Sequence, residues 1–255
     1  MLTVVSPLAA GTVLLFYFGW VRTRTEASAL GYDSKILEFG TPDYVLRSLN
    51  VLSVPLVAVL LGALLLLRAH RWVSASAPGA RSRLARIFLL SWLFWLVVCV
   101  FLGVFAPAAG TTVVPFALTA AAGLALYGDA LRPPGQRWTG AVRLVVAALL
   151  VIAVIGDTER LARAMGTGLA GSVAADPGQL AAVTLFSTKD LAIAAPNVTT
   201  IRVGGADAAY RFRCTGLRLL QRSGDKYLLI NDGWNRDTGR ILLIRDSADV
   251  RLEFG

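Results

Sequence analysis

Side chains that could carry out acid–base, nucleophilic or metal chemistry are few and widely spaced in this chain. There is one histidine, His70, and there are two cysteines, Cys99 and Cys214. A catalyst or metal site at His70 would lack a second histidine, and cysteines so far apart exclude a CxxC site. We expect His70 to be solvated at the membrane interface. Both thiols are expected to be packed, because Cys99 lies in an apolar run and Cys214 on the apolar side of a predicted strand.

Larger catalytic motifs are also missing from the sequence. No Gly-rich phosphate loop follows a strand, no Gly-x-Ser-x-Gly turn occurs, and Gly204-Gly205 is not followed by a helical pattern. Several aspartates fall in predicted turns, where their carboxylates bond nearby backbone amides, and this role is favoured over a calcium site. They are Asp225, Asp232, Asp237, Asp246 and Asp249. The sequence therefore predicts no catalytic residue, no metal ligand and no cofactor, in a protein that is not an enzyme.

The composition is that of an integral membrane protein. Of 255 residues, 56% are hydrophobic and only 16% are charged, and the mean hydropathy is +0.63, more apolar than a soluble domain allows. A helix needs about 20 mostly apolar residues to cross a bilayer core. Five stretches approach that length, at residues 2–20, 51–67, 87–106, 112–127 and 142–156. The sequence predicts about five transmembrane helices within residues 1–156.

Two features of these stretches bear on packing and transport. Ala117, Ala121 and Ala125 recur at four-residue spacing in the fourth stretch, a pattern that lets helices approach closely. Apart from Arg143 at the end of the fifth stretch, these stretches hold no Asp, Glu, Lys, Arg or His, whereas ion-coupled carriers usually keep such groups at mid-depth. A proton-coupled carrier is therefore disfavoured, and a pore would have to use hydroxyl and apolar side chains, such as Thr12, Ser53, Ser91 and Thr119.

The placement of arginine predicts how the protein faces. The loops after the second and fourth stretches are basic, whereas the turn at 107–111 carries no charge. Basic loops stay on the cytoplasmic side, so we expect a cytoplasmic N-terminus and, with five crossings, an extracytoplasmic C-terminal domain. If the fifth stretch does not cross, that domain lies in the cytoplasm instead. The charged residues are Arg68, Arg71, Arg81, Arg83 and Arg86 in the first loop, and Arg132, Arg137 and Arg143 with Asp129 in the second.

Residues 157–255 have the pattern of a chain in water. Residues 157–179 are expected to form a helical extension and a linker loosened by Gly166, Gly168 and Gly171. Residues 180–255 alternate with a period of two, which predicts a small, mostly antiparallel β domain. The alternation changes phase at Gly216, where we expect a β-bulge. The predicted strands cover 182–186, 191–194, 199–203, 209–222, 226–231, 240–245 and 250–254.

Two groups of residues are candidates for interaction. The segment 30–47 mixes aromatic and apolar residues with charged ones more than a connector requires. We predict either that it docks on the β domain or that it lies alone on the bilayer. Its candidate contacts are Tyr32, Phe39, Asp43, Tyr44 and Arg47. Arg211, Arg213 and Arg218 would form a basic face on one hairpin, able to meet anionic headgroups, although an ordinary solvated sheet face is favoured.

Four phrases of the sequence resemble uncharacterised multi-pass membrane proteins of actinobacteria. They are FYFGWVRTR at 16–24, GYD at 31–33, EFGTPDYVLR at 38–47 and YRFRCTGLRLL at 210–220. The resemblance implies a bacterial cell membrane, and it carries no activity, substrate or site.

The sequence thus predicts a membrane α-helical bundle followed by a small C-terminal β domain. We expect a non-enzymatic protein whose extracytoplasmic β domain mediates binding, sensing or assembly. Its expected partners are the lipid bilayer, a further copy of the chain in a homo-oligomer, and an envelope or protein partner at the β domain, but not nucleic acid. The alternative is a homo-oligomeric channel in which the β domains form a vestibule over the pore.

Overall fold

A computed structural model describes residues 7–75, 77–205 and 207–255, with the side chains at 7, 8, 10, 49–59, 78, 107–109, 111 and 112 excepted. The described chain is mostly helical and ends in an antiparallel sheet. Its helices are α1 Pro7–Leu30, α2 Thr41–Ala75, α3 Pro78–Phe105, α4 Pro107–Ala130 and α5 Gly140–Ala175. Its strands are β1 Ala182–Ser187, β2 Thr199–Arg202, β3 Phe212–Ser223, β4 Lys226–Asn231, β5 Ile241–Arg245 and β6 Val250–Phe254.

The chain divides into two compact units. The helical unit comprises Met1–Leu14 and Leu49–Leu161, and the β unit comprises Leu15–Ser48 and Ala162–Gly255. The β unit therefore contains parts of three helices in addition to the sheet. Because α1, α2 and α5 each contribute residues to both units, the boundary between the units runs through these helices.

Three helices of the described chain are long and apolar enough to cross a membrane. They are Gly79–Phe105, Val113–Ala130 and Gly140–Ala175, which correspond to the predicted stretches 87–106, 112–127 and 142–156. Of the predicted stretch 2–20, residues 7–20 lie in α1 and residues 2–6 lie outside the described residues. The predicted stretch 51–67 lies in α2, where the side chains at 51–59 are not described. On α3, Phe94, Phe101 and Phe105 are each more than half exposed, and such a surface is consistent with a membrane-spanning helix.

Small residues pack α4 into the helical unit as the sequence predicts. Ala117, Ala121 and Ala125 are 2%, 8% and 6% exposed, so their four-residue spacing marks a buried face and the packing prediction is confirmed. At one end of α3 and α4, Ala85 and Leu131 form a buried apolar cluster with Val73 of α2.

Two boundaries differ from the sequence-based prediction. The turn expected at 107–111 is reduced to Ala106, because α4 already begins at Pro107; proline suits the first helical position, where its missing N–H would have no partner. Likewise, Gly166, Gly168 and Gly171 do not interrupt α5, which ends at Ala175. The helix stops where Asp176 and Pro177 begin a short 3-10 turn, in which the Asp176 side chain accepts from the Gly178 amide at 3.0 Å.

The sheet is antiparallel, with strand order β5-β4-β3-β1-β6 and β2 added beside β3. The long strand β3 pairs with three strands. Its first residues pair with β2 and its later ones with β4, and it also pairs with β1. Between these regions, Gly216 adopts φ +84°, and the register with β1 shifts between Val183 and Leu185. The predicted bulge is thereby confirmed.

The predicted strand at 191–194 is wrong. These residues form no strand, because Ala192 has φ +49° and its amide donates to the Asp190 carboxylate at 2.9 Å. A side-chain turn of this kind competes with strand pairing. The remaining strands enclose a core that includes Leu185, Leu217, Leu229 and the fully buried thiol of Cys214, so the prediction of a packed thiol at 214 is confirmed.

Candidate functional site

Local sequence shapes the segment that joins α1 to α2. The Asp33 side chain accepts from the Lys35 amide at 3.0 Å, which starts a 3-10 turn over Ser34–Leu37. At the start of α2, Asp43 accepts from the Gly40 amide at 2.9 Å, as an acid in the first helical turn does when it reaches back to the cap residue. Asp43 is therefore first of all a cap of α2.

The β3–β4 hairpin holds this segment through polar contacts. The Ser223 hydroxyl donates to the Leu37 carbonyl at 2.7 Å, and Lys226 Nζ donates to the Ile36 carbonyl at 3.0 Å. Lys226 Nζ also lies 2.9 Å from Glu38 Oε1, while the lysine side chain is only 8% exposed. The ammonium group therefore relies on these two partners instead of water, and the structure places the segment in contact with the sheet.

A cluster of charged and polar side chains joins α1, α2 and β3. Arg22 Nη2 lies 3.3 Å from Glu26 Oε2, and Arg22 Nη1 donates to the Arg47 carbonyl at 3.2 Å. With the Gln221 amide oxygen turned toward Arg47, Arg47 Nη1 donates to it at 2.9 Å. The Tyr32 hydroxyl lies 3.3 Å from the same amide. We call these five residues the arginine–glutamate cluster.

Burial outweighs ion pairing within this cluster. It raises the pKa of Glu26 above its ordinary value, and the nearby guanidinium groups of Arg22 and Arg47 lower that pKa only in part. Burial likewise lowers the pKa of Arg47 and, together with Glu26, raises the pKa of Tyr32 to about 12. Two guanidinium groups share one carboxylate, which leaves excess positive charge. Functional sites often contain ionisable groups that are buried although water would solvate their charged forms better.

The cluster is also incompletely bonded. Within the described part of the chain, Arg22 Nε and the Thr23 hydroxyl are buried without a hydrogen-bond partner, and Arg22 is 8% exposed. Most buried polar groups are satisfied, so such atoms call for an explanation. Because these hydrogen bonds are not made, the cluster stabilises the fold less than a fully bonded one would.

The raised pKa of Glu26 predicts how stability depends on pH. A carboxyl whose pKa is raised in the folded state contributes stability below its ordinary pKa of 4.5, and this contribution is lost as pH rises through the raised value. Replacing Glu26 with Gln, which resembles the protonated form, should therefore leave the protein as stable as the wild type, or more stable, at pH 8. The melting temperature of both proteins between about pH 4.5 and pH 8 measures this.

The matched control is Glu253→Gln, which removes an exposed carboxylate on β6. As pH rises, Glu26→Gln should lose less stability than the wild type and Glu253→Gln. A Glu26→Gln curve parallel to the wild type would show that Glu26 titrates as an ordinary surface carboxyl.

Arg47 also lines an open groove of about 470 Å³ beside the hairpin turn. We call it the hairpin groove, and it is formed by Phe39, Asp43, Leu46, Arg47, Arg222, Ser223 and Gly224. The Arg47 guanidinium stands 4.0 Å from the Phe39 ring centroid, and Leu46 is 62% exposed. Arg222 Nε donates to the Gly224 carbonyl at 3.3 Å, so only one of its nitrogens is engaged among the described residues. Two guanidinium groups beside an apolar wall suit an anionic group with an apolar part.

The five candidate residues of segment 30–47 are brought together by the fold. Tyr32 and Arg47 belong to the arginine–glutamate cluster, and Phe39, Asp43 and Arg47 line the hairpin groove. Tyr44 packs edge-on against Phe39, with ring centroids 5.8 Å apart. It also packs against Phe16 of α1 at 5.7 Å.

The three candidate arginines of the sheet are not gathered on one free face. Arg211 Nε donates to the Thr188 carbonyl at 2.9 Å. Arg218 lies 2.7 Å from Asp232, where it holds the pKa of that carboxyl below its usual range, and it also donates to the Leu180 carbonyl at 2.9 Å. Arg213 is exposed on β3. Arg211 and Arg218 thus form hydrogen bonds that link strands and loops of the β unit.

Sequence reasoning missed Arg22, Glu26 and Gln221. The available signal was the pair Arg22 and Glu26, spaced one helical turn apart directly after the aromatic end of the first apolar stretch. Gln221 had no signal, because nothing in its strand indicates which residues of a distant loop will face it.

Other reactive side chains lie apart from this site, in the helical unit. His70 is exposed, and its Nδ1 lies 2.8 Å from the Tyr127 hydroxyl. Thr119 of α4 donates to Asp157 of α5 at 2.5 Å, and Asp157 is 8% exposed. The Asp157 carboxyl therefore lies within a helix that could span a membrane, one residue beyond the predicted stretch. Within the described residues, no group of three His, Cys, Asp or Glu side chains is placed to hold a metal ion.

Comparison of the chain with protein-family models, with curated proteins and with solved structures finds no match.

Proposed function

We propose that this chain is a non-enzymatic, multi-pass protein of the bacterial cell membrane that binds an anionic group in the hairpin groove. The group belongs to an envelope component or to a partner protein. Residues 2–20 and 51–67 supply two spans in addition to the three candidate helices. The β unit then lies on the extracytoplasmic side, because the arginine-rich loops at 68–86 and 129–143 remain in the cytoplasm.

The excess positive charge of the arginine–glutamate cluster carries this proposal. Arg47 belongs both to the cluster and to the groove wall. Among the described residues, Arg22 and Arg47 share the Glu26 carboxylate, and Asp43 is a weaker electrostatic partner of Arg47. An anion in the groove would add countercharge at Arg47, where these carboxylates offset only part of the effect of burial, and Arg222 would be a second donor. Phe39 and Leu46 would cover the apolar part of the same ligand.

The position of the site favours sensing or assembly over storage of a ligand. Helices α1 and α2 carry Arg22, Glu26 and Arg47 near the ends that meet in the β unit, and both helices continue into the helical unit. Neutralising a buried charge changes the balance of forces between the two helices. Occupancy of the groove would therefore bias how these helices pack.

The proposed orientation predicts which residues a membrane-impermeant maleimide can label. Cysteine placed at the exposed Asp207 should react in intact cells, whereas cysteine placed at the exposed Arg83 should react only after permeabilisation. The wild type is the control, since Cys214 is fully buried and Cys99 lies within α3. The reverse labelling pattern would place the β unit in the cytoplasm and would mean that the fifth stretch does not cross.

Photo-crosslinking tests the groove itself. A photoreactive phenylalanine analogue at Leu46, which is exposed in the groove, should give an adduct of defined mass in cells of the source organism. The same analogue at Ile201, which is 44% exposed on β2 and is not a groove residue, is the matched control and should give none. Arg222→Gln should abolish the Leu46 adduct, because it removes one of the two cationic donors.

The adduct mass decides between the possible occupants. A mass gain that matches another protein or an envelope component, and that requires Arg222, supports the proposal. A labelling pattern that is equal at Leu46 and Ile201, or no adduct at Leu46, rejects the groove as the binding site. An adduct of twice the chain mass would instead identify a second copy of the chain.

That last result would favour the second candidate function, a homo-oligomeric channel. The observation in its favour is the Thr119–Asp157 hydrogen bond, which places a polar pair between two helices that could span a membrane. A ring of copies would align such pairs around an axis, with the β units as a vestibule. Arg222 would then act at a contact between neighbouring copies.

A further inference from the structure

We propose that a second site, in the helical unit, binds the phosphate headgroup of an anionic phospholipid. The site is a pocket of about 620 Å³ lined by residues at the end of α2, in the first turns of α3 and in the loop after α4. We call it the arginine pocket, because Arg81, Arg86, Arg132 and Arg137 line it. It belongs to the basic loops that the sequence places at one membrane face, and it is independent of the hairpin groove.

Two of the arginines are held in place by the backbone. Arg132 Nη1 donates to the Gln136 carbonyl at 3.2 Å. Arg137 Nε donates to the Arg132 carbonyl at 3.0 Å, and its Nη2 donates to the Ala130 carbonyl at 3.2 Å. The consecutive Pro133 and Pro134 stiffen the same loop. This wall is therefore preorganised, which reduces the entropy lost when a ligand is bound.

The other two arginines are available to a ligand. Within the described chain, the side chains of Arg81 and Arg86 have neither an ion pair nor a hydrogen bond, and both are exposed. No acidic side chain is among the described residues that line the pocket. The nearest acid in the sequence, Asp129, is fully buried and already paired with Arg143 at 2.8 Å. Asp129 also attracts Arg132, but no described acid lines the pocket itself. Four guanidinium groups in such a lining are complementary to phosphate, whose oxygens accept paired N–H bonds.

The surroundings favour a lipid over a free phosphate compound. The pocket lies where α3 begins and α4 ends, and both helices are apolar enough to cross a membrane. Leu90, Phe94 and Val97 follow Arg86 along one face of α3 and are 53%, 63% and 64% exposed. An acyl chain can lie along this apolar face while its phosphate is bound by the arginines. Basic pockets at the ends of membrane helices bind lipid headgroups in this way.

Native mass spectrometry of the full-length protein in detergent tests the assignment. Diphosphatidylglycerol, phosphatidylglycerol and phosphatidylcholine are titrated separately, and the affinity should fall in that order as the number of headgroup charges falls. The double variant Arg81→Gln/Arg86→Gln should bind diphosphatidylglycerol at least about tenfold more weakly, since it removes two charge-assisted donors. Arg83→Gln is the matched control, because Arg83 is exposed on the same turn of α3 but does not line the pocket.

Each outcome decides the proposal. Weaker binding in the double variant, with Arg83→Gln like the wild type, supports it. If both variants lost affinity for the lipid equally, binding would depend only on the overall surface charge. That result would overturn the proposal. Inorganic pyrophosphate distinguishes the two sources of phosphate: if it binds as tightly as the lipid and depends on Arg81 and Arg86, the pocket serves a soluble phosphate compound and the lipid assignment fails.

Discussion

Replacing Gly216 with alanine should destabilise the β unit by about 3–5 kcal/mol, a large share of the stability of a typical domain. Gly216 has φ +84°, a conformation that costs roughly 1–2 kcal/mol for a residue with a side chain. In addition, a Cβ at this position would lie 2.0 Å from the Asn197 carbonyl oxygen and 3.0 Å from its carbonyl carbon. Because both atoms belong to the backbone, the connection before β2 would have to move.

Pulse proteolysis across a urea series measures this loss on the full-length protein, with the C-terminal fragment as the readout. Gly224→Ala is the matched control, because Gly224 also has positive φ, +54°, but its added Cβ would meet no atom within 4 Å. It should cost only the conformational penalty of roughly 1–2 kcal/mol. Equal effects at the two positions would mean that the contact with Asn197 does not constrain the bulge.

The bulge itself could be predicted, because a change in hydrophobic phase is local information. Around Cys214 the even positions of β3 are apolar, whereas at Leu217 and Leu219 the odd ones are, and one glycine stands between. The strand predicted at 191–194 is absent for the opposite reason. Its apolar residues favour a strand, but the Asp190 side chain binds the Ala192 amide and turns the chain. Local hydrogen bonds from a single side chain can override a weak pattern.

The candidate site was predictable only in part. The segment 30–47 has more aromatic and charged residues than a connector needs, and this excess predicts Tyr32, Phe39 and Arg47 as contact residues. The residues that complete the site come from elsewhere, namely Arg22 from α1 and Gln221 from β3. Contacts between residues so far apart in sequence depend on how the helices pack on the sheet. The hydrophobic periodicity of the sequence does not contain this information.

The same reasoning explains why the three arginines of the sheet were misleading as a group. Arg211, Arg213 and Arg218 lie on one strand or just before it, so alternation suggested a common basic face. The structure gives Arg211 and Arg218 backbone carbonyl partners, and Arg218 also binds Asp232. A guanidinium has five donors and is readily used to fasten chain segments, so arginine spacing alone does not define a free surface.

The second large effect is expected at Gly19 of α1, which packs against the backbone of Tyr44 in α2. A Cβ on Gly19 would lie 2.0 Å from the Tyr44 carbonyl oxygen and 2.8 Å from its carbonyl carbon. Gly19→Ala should therefore push the start of α2 away from α1 and separate Arg47 from Arg22, which now meet at 3.2 Å. We expect a net loss of about 2 kcal/mol or more, which lowers the melting temperature by roughly 4–8 °C in a chain of this size.

Gly11→Ala on the same helix is the matched control and should have the opposite sign. Its added Cβ would meet no atom within 4 Å, and alanine is more favourable than glycine in a helix interior by about 1 kcal/mol. Thermal unfolding of the detergent-solubilised variants measures both changes, and the pH dependence assigned to Glu26 should disappear only in Gly19→Ala, because only that variant opens the cluster. If Gly19→Ala were as stable as Gly11→Ala, the close approach of α1 and α2 would not hold the cluster together, and the proposed coupling between the groove and these two helices would lose its structural basis.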